Sequence, residues 1–245
     1  MKALFLAAFL LLPQASPEPS PAKADIAAEL APGVELFNTR RMGEGRLEKA
    51  KAFFESYLSS HPTSAPAAFY LGRVYMEMGQ GETAANWLER AIDLDRQNSE
   101  LHLWLARAYG LAASGTNSVA RGRYAREAKA ALDKAVQLDP GNVRAREDLI
   151  KFYLSAPEFL GGSVDSARKE AAAVRKIDPV AGRLLMASIH LQQKSTQAAE
   201  LEYQTAIQEA PNDLRPRMAL GYLYQSLSRW NEAFDAFEGI LKIEP

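Results

Sequence analysis

No cysteine occurs among the 245 residues. That excludes disulfides, thiolate metal ligands and a lipid anchored through cysteine. Charge of one sign is not in excess either: 29 Lys and Arg stand against 30 Asp and Glu, a net charge of -1. The chain as a whole therefore attracts neither nucleic acid nor anionic lipid, and no nucleic-acid partner is expected. Histidine is scarce, with His61, His102 and His190 far apart in sequence, and the spacings HExxH, GxSxG and GxxxxGK[ST] are all missing. Without convergent polar groups of that kind no catalytic residue, metal site or cofactor is expected, and the sequence reads as a non-enzyme. The absence of an Asn-x-Ser/Thr acceptor fits a bacterial envelope better than a glycosylated secretory route.

The apolar run at the start, Ala3 to Leu12, is too short to cross a hydrocarbon core of about 30 Å. Met1 and Lys2 precede it, Pro13 ends it, and a Pro-, Ser- and Ala-rich stretch follows. This is the layout of a signal peptide over residues 1–24, cleaved after Ala22-Lys23-Ala24, with Ala15 as the alternative point. The expected location is periplasmic or secreted, with no stable membrane anchor after removal of the leader.

What is present is an internal period. With 47% hydrophobic and 24% charged residues the chain has enough apolar material for a packed core. An alanine recurs at Ala50, Ala84, Ala128, Ala167, Ala199 and Ala233. A proline follows each by twelve residues, at Pro62, Pro140, Pro179, Pro211 and Pro245, with Arg96 in the remaining slot. Both series share spacings of 34, 44, 39, 32 and 34 residues, so they belong to one repeat. Upstream lies a second pattern: Leu71-Gly72 with Tyr75, Leu105-Ala106 with Tyr109, Leu149 with Tyr153, Met186-Ala187 with His190, and Leu220-Gly221 with Tyr224.

These slots resemble the tetratricopeptide repeat over residues 31 to 245. The resemblance implies an all-α fold, a right-handed superhelical solenoid of about six helix-turn-helix repeats, near 31–64, 65–98, 99–142, 143–179, 180–213 and 214–245. About twelve helices and no strands are expected. Small residues sit where two helices cross closely, and Leu, Tyr and Phe fill the space between layers. His190 in a Tyr slot is then a packing residue, and Ser163 after Gly161-Gly162 is an ordinary helix cap.

The resemblance also implies a concave groove lined by the first helix of each repeat. Two residues past each Leu slot stand Arg73, Arg107, Lys151, Ser188 and Tyr222, and two residues before it stand Phe69 and Leu103. These seven are the candidate protein-binding residues. The three cations form a ladder suited to carboxylates, with Glu77 and Glu147 placed to neutralise Arg73 and Lys151 within their own helices. Extra length falls at residues 110–122 and 157–163, expected as a shared lip near Arg121 and Arg123, so that deleting 112–119 leaves helicity and melting unchanged. The last segment carries Trp230, Phe234, Phe237, Ile240 and Leu241 with no polar helix after it, which predicts self-association through that end or a chain continuing past Pro245. The expected function is a scaffold or adaptor holding a peptide or protein. A structural subunit of an envelope assembly and a regulatory arm of an enzyme on another chain are the alternatives.

Overall fold

The computed structural model describes residues 28–39 and 45–243. The leader with both cleavage points, and Pro245, lie outside them. Among the described residues are twelve α-helices and no strand. They are α1 (Ala31–Asn38), α2 (Arg46–Ser60), α3 (Ala65–Glu77), α4 (Gly81–Leu94), α5 (Ser99–Ser114), α6 (Ser118–Leu138), α7 (Val143–Ser155), α8 (Val164–Arg175), α9 (Pro179–Gln192), α10 (Thr196–Glu209), α11 (Leu214–Ser226) and α12 (Trp230–Leu241).

Helix starts follow the polar residues between the apolar stretches. Ser64, Asn98, Asn142, Asp178 and Asp213 each accept a backbone N–H of the first turn that follows, which opens α3, α5, α7, α9 and α11. The turn inside a repeat works differently. Five residues before the alanine slot the backbone is left-handed at Gly45, Gly79, Lys194 and Ser228. In three of these turns the next N–H, of Gln80, Ser195 or Arg229, reaches back 2.9 Å to the carbonyl of Tyr75, His190 or Tyr224. This 6→1 closure satisfies the carbonyls that the end of a helix leaves open.

All six slot alanines are buried. Phe54, Leu88, Leu132, Ala171 and Tyr203, four residues further on, are buried as well, while Phe237 is half-buried. Close approach explains Gly81: a Cβ there would lie 2.9 Å from the Cα of Ala112. The contacts divide the chain into two units whose described parts are residues 28–170 and 171–243. In the first, Phe54, Leu71, Leu88, Leu103 and Leu149 form one continuous core. In the second, Tyr203, Leu220, Leu223 and Tyr224 do so.

A polar rung ties each tyrosine slot to the preceding repeat. Tyr75 donates to Glu55 at 2.9 Å, Tyr224 to Glu200 at 2.7 Å, and Tyr109 to Glu89. Tyr153 instead lies under Lys129, 5.5 Å from the ring centre.

The first stretch of extra length, expected as part of a lip that could be deleted without loss of helicity, is helical instead. It prolongs α5 and α6, leaving only Gly115–Asn117 outside a helix, and Asn117 caps α6 through Val119 and Ala120. Arg121 closes this hairpin onto the carbonyls of Ala113 and Thr116. The second stretch contains a 3-10 turn, Glu158–Leu160, that lies against α6. Deleting 112–119 therefore removes helix, together with the backbone packed on Gly81.

Candidate protein-binding face

In the first unit, α1, α3, α5 and α7 present one row of side chains. It begins at Phe37. The Arg73 guanidinium lies 4.8 Å from the Phe37 ring and 4.3 Å from Trp104, with Phe69 and Tyr70 at 5.7 and 6.0 Å. The Arg107 guanidinium lies 4.9 Å from the same Trp104 ring. Arg107 Nε donates to Asp148 Oδ2 at 2.6 Å, and Lys151 Nζ donates to Asp148 Oδ1 at 2.9 Å. Trp104 Nε1 donates to Glu100 at 2.6 Å, and Glu100 also receives Arg144. The result is a stacked column of rings and cations that ends in ion pairs.

Electrostatics follow from that packing. Burial works to raise the Asp148 carboxyl, but Arg107 and Lys151 overcome it and hold the group below the usual range. At Glu147 burial wins and pushes the carboxyl up, although Lys151 opposes it. A surface so internally paired has little free charge to offer a carboxylate ligand.

The candidate residues separate accordingly. Phe69 and Leu103 are core residues, not groove lining, because their side chains turn toward the neighbouring helices. Arg73 is 8% exposed, held among rings. Its expected partner Glu77 pairs instead with Arg46 at 2.6 Å. Arg107 is half-buried and Lys151 exposed. In the second unit Ser188 is buried, its hydroxyl donating to the Leu185 carbonyl at 2.7 Å, whereas Tyr222 is exposed with its ring 5.5 Å from Phe237. The first unit thus brings together Arg73, Arg107 and Lys151, and only the last two reach solvent. Trp104 and Asp148 were missed, though each stands one residue before its Leu slot and three before the cation. Residues three apart share a helix face, so that spacing was the available signal.

Outside this face, α4, α5 and α6 enclose a cleft of about 340 Å³ lined by Glu82, Glu89, Tyr109, Arg123, Tyr124 and Glu127. Its two tyrosine rings stack at 6.0 Å. Burial, helped by Glu89, raises the Tyr109 hydroxyl, and the hydrogen bond to Glu82 raises that of Tyr124. Among the described residues no group of carboxylates and histidines is placed to hold a metal ion, and no helix is long and apolar enough to cross a membrane.

Residues 41–108 match the tetratricopeptide repeat family. That stretch carries a tetratricopeptide repeat, and the fold is that of a solved tetratricopeptide-repeat protein. The repeat protein shares its fold with TTC0263 of Thermus thermophilus, at 21% identity and a TM-score of 0.58, over 80% of this chain and 97% of that one. The MamA protein matches at 17% identity and 0.55, over 75% and 91%. Human IFIT1, in a structure with PPP-AAAA, matches at 18% and 0.57, over 88% of this chain and 54% of that one. At these identities the likeness concerns the fold. No curated protein sequence matches the repeat protein.

Proposed function

We propose that the repeat protein is an exported adaptor that holds a peptide or protein segment against the face of α3, α5 and α7. A tetratricopeptide fold suggests protein-protein interaction, and the single observation that carries the finer reading is the locked column through Arg73, Trp104, Arg107 and Asp148. Side chains fixed before a partner arrives lose little entropy on binding, so their contacts are retained as affinity. Half-exposed Trp104 and Arg107 beside exposed Lys151 also have the composition that dominates interface energetics. The RNA ligand of IFIT1 is not extended to this chain, whose net charge of -1 supplies no electrostatic footprint. Export rests on the charged, apolar and small-residue order of residues 1–24.

The test compares the wild-type protein with Arg107→Ala/Lys151→Ala as bait in an envelope extract of the native organism. Arg73 is left intact because its loss would unpack the column. The expected result is a partner captured by wild type and weakened at least tenfold by the double variant, which keeps its helical circular-dichroism signal but melts lower because Asp148 loses both cations. Equal capture by both would remove the face from the binding site. A fusion of residues 1–24 to a reporter active only outside the cytoplasm tests export, and a silent reporter would overturn it.

A further inference from the structure

The helix α12 carries a stripe at i, i+4, i+7 and i+11: Trp230, Phe234, Phe237 and Leu241. Phe237 turns partly into the core beside Ala233, but Trp230, Phe234 and Leu241 are 61%, 68% and 65% exposed. Tyr222 and Leu227, also exposed, extend the patch from α11 and the turn that follows it. The same register in α10 reads Thr196, Glu200, Tyr203 and Ile207, and there α11 covers it. Glu200 accepts from Tyr224 at 2.7 Å and from Arg229 at 2.9 Å, Tyr203 is buried, and Ile207 packs on the core. So α12 presents a face whose counterpart within the same unit is a helix-packing face. Where α10 places a carboxylate for its cover, α12 places an aromatic ring.

We infer that this stripe is a homodimer interface in which α12 packs antiparallel against α12 of a second copy. A two-fold axis beside Asp235 and Ala236 sets Trp230 of one copy against Leu241 of the other, and Phe234 against Phe237. Large and medium side chains thus alternate across the seam, and each ring meets apolar surface. The exposed parts of Trp230, Phe234 and Leu241 amount to about 400 Å² per copy, at the level where an apolar patch on a lone protein marks an interaction site. Two copies bury about 800 Å² through these residues alone, and Leu227 and Tyr222 bring the total near the 1,000 Å² at which specific, weak interfaces begin. Charges stay outside the seam: Lys242 donates to Glu238 at 2.9 Å on one flank, with Asn231 and Asp235 beside them in solvent. An interface of this size belongs to the weak, reversible class.

Sedimentation velocity on the full chain from about 1 to 200 μM tests the inference, with Phe234→Glu and Trp230→Glu/Phe234→Glu run alongside. Wild type should move from monomer to dimer, and both variants should stay monomeric with unchanged helicity, because the replaced side chains lie on the surface. Since the protein has no cysteine, Glu238→Cys places a lone thiol at the rim. A short bismaleimide should then yield a covalent dimer that Phe234→Glu abolishes. A wild type still monomeric at the highest concentration would overturn the inference and leave the stripe to some other helix. A dimer that persists in both variants would overturn it by locating self-association on another face.

Discussion

Lys194 and Ser228 hold left-handed backbone angles, with φ of 60° and 58°, where the corresponding turns use Gly45 and Gly79. A side chain there brings its Cβ close to the following carbonyl, which costs about 1–2 kcal/mol and is only partly recovered through unfolded-state entropy. Lys194→Gly and Ser228→Gly should therefore each stabilise by about 0.5–1 kcal/mol in urea titrations. Charge makes a second case. Burial raises the Glu147 carboxyl, so its ionised form is less favoured in the folded chain than in the unfolded one. Its contribution is favourable below the unfolded value of about 4.3 and lost as pH climbs through the raised folded value. Glu147→Gln should accordingly melt higher than wild type at pH 7, and the advantage should vanish near pH 4. A constant difference across that range would assign the effect to shape instead.

Among the elements, the hairpin of α5 and α6 differs most from its neighbours. Its added turns are helical, and the backbone at Ala112 packs where Gly81 leaves no room for a Cβ. Deleting 112–119 should reduce the helical circular-dichroism signal and lower the melting temperature by several degrees, the scale that 1–2 kcal/mol produces in a chain of this size. Asn117→Ala removes only the cap of α6. That change should cost about 1 kcal/mol or less, since the first turn there is exposed and frays without cost to the core.

At the scale of the whole molecule, stability in stacked repeats is close to a sum of local terms and nearest-neighbour interfaces. The contacts divide at residue 171. In the second unit a Cβ added at Gly182 would lie 2.5 Å from the Arg175 backbone nitrogen, and α8 must shift to accept it. Gly182→Ala should cost about 1–3 kcal/mol as overpacking. Hydrogen exchange should show lost protection confined to residues 171–243, with α3, α4 and α5 as well protected as in wild type. Uniform loss along the chain would show that the two units open together.

By itself the sequence determined the period, the helix pairs and the core, because those depend on spacing along one chain: alanine where two helices cross, and Asn, Asp or Ser where a first turn must be capped. It also determined the exposed aromatic stripe of α12, which needs only the helical repeat to be seen. The tertiary structure alone decided the candidate face. Arg73, Arg107 and Lys151 were legible as cations in register, but the contacts that join the layers, Arg73 on Trp104 and Arg107 to Asp148, cross between neighbouring helices. A guanidinium seeks whichever ring or carboxylate the next layer brings within about 3–6 Å. Intrahelical spacing named Glu77 for Arg73, and layer packing gave Glu77 to Arg46 instead. Likewise the inserted length was visible, but whether it extended helices or looped out depended on α4 offering Gly81 as a surface for α5 to follow.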